Sequence, residues 1–244
     1  MSKVLVNFVQ DRSGSMASCW DETRSGFRKF VEDLGEKGSQ DGVEYLFSLT
    51  TFDTLVETPI LAKPIADVDV AELAKHGPRG ATALYDAVGA TIENTSANDR
   101  GAEKIVCVVV TDGQENSSRE WTKTRLHTIV DAKLKLGNWT FLYLGTQPET
   151  WDDAGAIGLG AGSISTYQSA RAGEAYAFTS AALHSLARSV KLGSRTLFQD
   201  HAKVADAAAA GMKVNADAAS LKPEAVSAPK AASRHWRNTE GPAS

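Results

Sequence analysis

Only two cysteines occur among 244 residues, Cys19 and Cys107. Cys107 lies inside an apolar run and reads as a small buried hydrophobe, and with nothing marking the chain as secreted no disulfide is expected. No apolar stretch approaches the ~20 residues that cross a bilayer, so no membrane contact is expected. Lys and Arg form no cluster. Their 26 charges against 30 from Asp and Glu leave a net charge of −4, which gives no electrostatic case for nucleic acid or an anionic surface. The five histidines (His76, His127, His184, His201, His235) are scattered without zinc-type spacing. Gly158-Leu159-Gly160-Ala161-Gly162 fails the dinucleotide pattern, because Ser163 stands where glycine is required. It reads as a turn-rich connection, and no nucleotide-loop lysine pattern exists. Met1-Ser2-Lys3 runs directly into an apolar strand without a leader pattern. The expected location is therefore the cytoplasm of a bacterium or of a phage-infected cell, with a virion as the variant. The triplets at Asn94, Asn116 and Asn138 are then chance glycosylation matches.

What is present is ordinary for a globular protein, 42% apolar and 23% charged, and long enough to bury one sizeable core. Strand and helix patterns alternate. Residues 3–10 read as a buried strand. Trp20, Phe27, Phe30, Val31 and Leu34 recur at helical spacing, with Gly35 and Gly38 as the expected stop. Residues 44–52 and Leu55 to Leu61 read as an antiparallel hairpin at a sheet edge, and 69–75 as a short helix. Leu84, Ala87, Val88 and Ile92 mark the next helix. Residues 104–111 are apolar on both faces, as a central parallel strand requires. Trp121, Leu126, Ile129, Val130 and Leu134 mark a helix ended by Gly137, and Trp139 to Leu144 a strand. Ile157 is read as the seed of a last short strand, and Tyr176 to Val190 as a last helix. Trp20, Trp121 and Trp139 suit core positions, while Trp151 and Trp236 are left open.

This alternation predicts an α/β fold: a doubly wound, mostly parallel sheet with one antiparallel edge strand and helices on both faces. The domain is expected over residues 1–198. Residues 199–244 are Ala-rich, then carry Pro223, Pro229 and Pro242, and are read as a flexible tail, a partner-binding tail being the alternative.

Ligands of such sheets bind beyond the carboxyl ends of the strands. Asp11 and Asp112 each directly follow a strand, so both belong to that edge. Asp11-Arg12-Ser13-Gly14-Ser15 sets one carboxylate and two hydroxyls within five residues. Thr82 adds a third hydroxyl and Asp112 a second carboxylate. A hard cation wants this oxygen-only shell, and Mg²⁺ with near-octahedral geometry and retained waters suits it, Mn²⁺ or Ca²⁺ being the alternatives. Two carboxylates nearly neutralise the ion and leave room for an oxygen from another molecule. Singly, each residue has a plainer reading. Asp11 and Ser13 could cap a helix or shape a turn, Thr82 could cap the helix at Ala83, and Asp112-Gly113 is a common turn pair. Glu115 and Asn116 read as solvated loop residues.

With these residues in this order, residues 1–190 resemble the von Willebrand factor A domain family and its metal-ion-dependent adhesion site (MIDAS). The resemblance rests on Asp11-x-Ser13-x-Ser15, on the loop threonine of Gly80-Ala81-Thr82-Ala83-Leu84, and on Thr111-Asp112-Gly113. The run from Pro78 to Ala87 and the stretch Gly155-Ala156-Ile157-Gly158 are similar to stand-alone bacterial and phage members. The resemblance implies metal ligation by Asp11, Ser13, Ser15, Thr82 and Asp112. It also implies binding of a protein partner that presents an Asp or Glu to the metal, with Thr82 and Asp112 exchanging direct and water-mediated contact. Nothing carries over to the Ala-rich segment.

The function expected is thus a binding module and not an enzyme. A structural part of a phage or bacterial assembly is the first alternative. A metal-dependent phosphohydrolase is the second, and it is disfavoured because Ser13 stands where such sites place a second acid and no His, Lys or Cys is positioned as base or nucleophile. Oligomeric state is left open.

Overall fold

The computed structural model describes residues 2–146, 150–203 and 205–214. Seven strands form one sheet in the order β3-β2-β1-β4-β5-β6-β7. They are β1 (Lys3–Asp11), β2 (Glu44–Phe52), β3 (Val56–Pro64), β4 (Lys104–Thr111), β5 (Trp139–Gly145), β6 (Ile164–Tyr167) and β7 (Met212–Val214). Neighbours from β2 to β6 are parallel, while β3 and β7 are antiparallel edges. The α/β doubly wound prediction holds, with a second antiparallel edge strand in addition to the one expected.

Side-chain alternation along each strand divides the core in two. Val4, Val6 and Phe8 of β1, with Val106, Val108 and Val110 of β4, face α1 (Trp20–Asp41) and α5 (Ala172–Arg188). Leu5 and Val9, with Ile105, Cys107 and Val109, face α2 (Leu84–Asn98) and α3 (Lys123–Lys135). Among the described residues there are also two short helices, α4 (Thr150–Ala156) and α6 (Leu197–Ala202). The first layer is centred on Phe8, whose ring lies 5.0 Å from that of Phe30, 5.5 Å from Phe27 and 5.6 Å from Tyr176. Burial on both faces of β4 explains its unbroken apolar run. Cys19 and Cys107 are free and lie in opposite layers. Trp20, Trp121 and Trp139 are buried.

Several boundaries differ from expectation. α1 runs through Gly35 and Gly38 to Asp41 and ends at Gly42, whose φ of +67° suits glycine. Gly38 sits inside the helix because a Cβ there would come within 2.8 Å of the Tyr45 ring and of the Val43 carbonyl. The short helix expected over 69–75 is a single 3-10 turn, Glu72–Lys75. Ile157 seeds no strand; it is a buried plug just after α4, and the strand forms at Ile164–Tyr167 instead. α5 stops at Arg188, and Val190 is fully exposed. The boundary expected at residue 198 falls inside α6. Beyond it, Ala205, Ala207 and Ala210 pack on the α1/α5 layer and β7 pairs with β6. Residues 215–244, including Trp236, lie outside the described residues, as does the side chain of Trp151. No described helix is long and apolar enough to cross a membrane.

Candidate metal centre

β1 and β4 are adjacent and parallel, so Asp11, the last residue of β1, and Asp112, just past β4, emerge side by side at the carboxyl edge. Asp11 is fully buried. Its Oδ1 accepts the Ser13 N–H at 2.6 Å and its Oδ2 accepts the Thr111 hydroxyl at 2.5 Å. The first bond folds the chain after β1 into a tight turn that brings Ser13 and Ser15 over the strand end. Their hydroxyls lie 3.0 Å apart, and Ser15 Oγ donates to Asp112 Oδ1 at 2.5 Å. Thr82 arrives from the loop before α2. A Cβ added to Gly113 would stand 2.9 Å from Thr82 Oγ1, 3.5 Å from Ser15 Oγ and 3.6 Å from Asp11 Oδ2. The three oxygens thus surround one point. All five residues singled out in the sequence come together here.

The plainer readings fare differently. Ser13 occupies the position before the 3-10 turn Gly14–Cys19, but its side chain makes no capping bond. Thr82 is not the cap of α2: Ala83 holds that position, and the first-turn N–H groups of Tyr85 and Asp86 donate to Glu115 and Ser118. The Thr82 hydroxyl is therefore not consumed by the helix. Glu115 and Asn116 are not merely solvated loop residues, because Asn116 accepts the Thr82 N–H and Glu115 accepts the Tyr85 N–H in the first turn of α2.

Other positioning residues gave no local signal in the sequence. The Arg12 side chain is buried and turned away from the Asp11 carboxylate, with its Nε 3.0 Å from Asp53 Oδ2 and further contacts to Glu57 and His76. Arg79 Nε donates to the same Asp53 oxygen at 2.8 Å. Backbone bonds from Arg79 N to Arg12 O, 2.8 Å, and from Gly14 N to Gly80 O, 3.2 Å, stitch the Asp11 loop to the Thr82 loop. Beneath the strand end, Gln10 donates to the Asp11 carbonyl at 2.8 Å and accepts from Tyr176 at 3.1 Å. Polar residues at a strand end, here Gln10 and Thr111, were the one available hint.

Burial pushes the Asp11 carboxyl up to about 6, against the downward pull of the bonds from Thr111 and Ser13. Burial likewise raises Asp112, against the Ser15 hydrogen bond. The donor set is oxygen only: two carboxylates reluctant to stay charged without a counter-ion, and three hydroxyls. It fits a hard divalent cation, and among the described residues no group of three or more His, Cys, Asp or Glu offers another metal site. A pH dependence follows. The unfolded chain loses the Asp11 proton near the ordinary value of 3.8, whereas the metal-free fold keeps it to about 6. Between those values the fold binds more protons, so metal-free stability falls as pH rises, by on the order of 3 kcal/mol in total. A cation bound beside Asp11 would compete with that proton. Thermal denaturation with and without 5 mM Mg²⁺ should show a difference at about pH 5 that is roughly half of that reached by about pH 7.5.

Comparison with solved structures gives a von Willebrand factor A-like fold. The chain is similar to proximal thread matrix protein 1 from the mussel byssus, at 17% identity and TM-score 0.54 over 73% of this chain and 45% of that one. That protein has also been solved with zinc in its MIDAS motif. The chain is similar to the PilB minor pilin of Streptococcus sanguinis, at 14% identity and TM-score 0.56 over 75% and 61%. It is also similar to the pilus adhesin SpaC of Lactobacillus rhamnosus GG, at 15% identity and TM-score 0.60 over 75% and 31%. It spans less than two thirds of the length of each, and at these identities the likeness is one of fold. No family model and no curated protein matches the chain. These neighbours correct one expectation. They are pilus and byssus proteins, and the cytoplasmic assignment is withdrawn.

Proposed function

We propose that the chain is a divalent-cation-dependent protein-binding module. Asp11, Ser13, Ser15, Thr82 and Asp112 would hold Mg²⁺, or Mn²⁺ or Ca²⁺, and a partner protein would complete the site with an Asp or Glu. The observation that carries this reading is the gathering of Asp11, Ser15 and Thr82 oxygens around Gly113, with Asp112 hydrogen-bonded to Ser15. When bound, the cation supplies an electrophile that a carboxylate from outside can reach. The chain's own part is to shape that place. Asp11 is held from below by Thr111, the Ser13–Ser15 turn covers one side, and the exposed Ser15 leaves the rim open. The hydrogen bonds within the group come from hydroxyls and backbone amides, which position oxygens but move no protons, and this favours binding over turnover. The likeness to pilus and byssus proteins supports a module serving within a larger adhesive or structural assembly.

The test is a cation titration of chelator-stripped protein followed by thermal denaturation. A cation at about 100 times its Kd adds about 2.7 kcal/mol, or roughly 5 to 10 °C in Tm for a domain of this size. Asp11→Ala and Asp112→Ala should each lose that rise. An equal rise in Asp112→Ala would sink the assignment.

A further inference from the structure

Thr82 is 3% exposed, so its backbone groups need partners within the protein. Both come from the loop that follows Asp112. The Asn116 side-chain Oδ1 accepts the Thr82 N–H at 2.9 Å, and the Thr82 carbonyl accepts the N–H groups of Asn116 and Ser117 at 3.0 and 3.2 Å. Asn116, only four positions beyond Asp112, holds Thr82 on both sides, and Ser117 adds a second bond to its carbonyl. The same loop is locked again a turn later. The Glu115 carboxylate accepts the Tyr85 N–H at 2.9 Å, the N–H groups of Ser117 and Ser118 at 2.9 and 2.8 Å, and the Ser118 hydroxyl at 2.7 Å. Asp86, in the first turn of α2, accepts three consecutive N–H groups from Arg119, Glu120 and Trp121, at 2.8, 3.0 and 2.7 Å.

This network exceeds what a loop needs to be ordered. It fixes the Thr82 loop to the Asp112 loop, so the hydroxyl and the carboxylate cannot shift independently. We propose that Asn116, seconded by Glu115, is a positioning residue that sets the placement of Thr82 relative to Asp112 and thereby the cation affinity of the site. Asn116 is exposed as a whole and takes no part in the apolar core, so shortening it removes the side-chain half of the clasp, the bond to the Thr82 N–H, without opening a cavity. The inference rests on the cation-binding reading above.

The experiment uses the full chain, stripped with chelator and titrated with Mn²⁺ by calorimetry at about pH 7.5. Asn116→Ala should raise the Mn²⁺ Kd about 10-fold or more, the range of effects found when a group that orients a metal ligand is removed. Asn116→Asp keeps an acceptor for the Thr82 N–H and should restore affinity to within about threefold of the parent. In chelated protein, amide exchange at Thr82 should speed up in Asn116→Ala and not in Asn116→Asp, a readout independent of metal. If Asn116→Ala does not fold, Asn116→Ser, too short to reach the Thr82 N–H, takes its place with the same expected loss. Unchanged Kd and Thr82 exchange in the shortened variant would overturn the inference while leaving the cation site standing. So would a loss in Asn116→Asp as large as in Asn116→Ala. A parent that binds no Mn²⁺ would overturn both.

Discussion

Gly113→Ala is expected to abolish cation binding although it removes no candidate ligand. The added methyl would stand 2.9 Å from Thr82 Oγ1, closer than real Cβ contacts come. Thr82 cannot swing away cheaply, because it is buried and its peptide is clamped by Asn116. The methyl also fills the space shared by Ser15 Oγ and Asp11 Oδ2, at 3.5 and 3.6 Å. The expected result is at least a 100-fold rise in the Mg²⁺ or Mn²⁺ Kd, about 2.7 kcal/mol. Chelated protein should lose only roughly 1 to 3 kcal/mol, the usual cost of overpacking. Calorimetric titration beside thermal denaturation in chelator separates the two. Parent-like affinity in a folded Gly113→Ala protein would show that the ion is not held where those oxygens converge.

Arg12→Met should produce the largest loss of fold stability among polar substitutions near the rim. The Arg12 side chain is 2% exposed and faces Asp53, itself 3% exposed. Burial pushes the Asp53 carboxyl up, but hydrogen bonds from Arg79 and the Leu55 N–H, with the Arg12 charge, outweigh it and hold it below its ordinary value. Removing one member of a buried ion pair leaves the other uncompensated, typically at 3–5 kcal/mol. Arg79 remains on Asp53, so about 3 kcal/mol is expected, or roughly 6 to 12 °C in Tm. The double variant Arg12→Met/Asp53→Leu should recover part of that loss, since an apolar pair of similar volume often replaces a buried ion pair without cost. Denaturant unfolding of the single and double variants measures both. Equal stability of Arg12→Met and the parent would mean that the pair contributes no net stability.

The sequence was most legible where one residue's role depended on its immediate neighbours. Alternating apolar strands and helices specified the sheet and its helical layers. Asp11 and Asp112 could be placed at the carboxyl edge because each directly follows a strand. It was least legible where partners lie far apart along the chain. Asn116 bonds to Thr82 across 34 positions and Arg79 to Asp53 across 26, and no local pattern announces either. Gly35 and Gly38 looked like a helix stop because glycine costs about 1 kcal/mol in a helix interior. Close packing against Tyr45 outweighs that preference at Gly38. β7 was missed because three residues after an alanine-rich run carry no strand pattern of their own. It forms because β6 offers an unpaired edge. Location could not be read from composition.

The sheet topology also bears on how the molecule can be mounted. Lys3 opens β1 at the end of the sheet farthest from Asp11, and β7 runs antiparallel to β6, so at Val214 the backbone is heading away from the carboxyl edge. A tether, dye or fused neighbour joined before Lys3 would leave the Ser15 side unobstructed. Immobilised through a group placed there, the domain would present its open face outward to whatever approaches from solution.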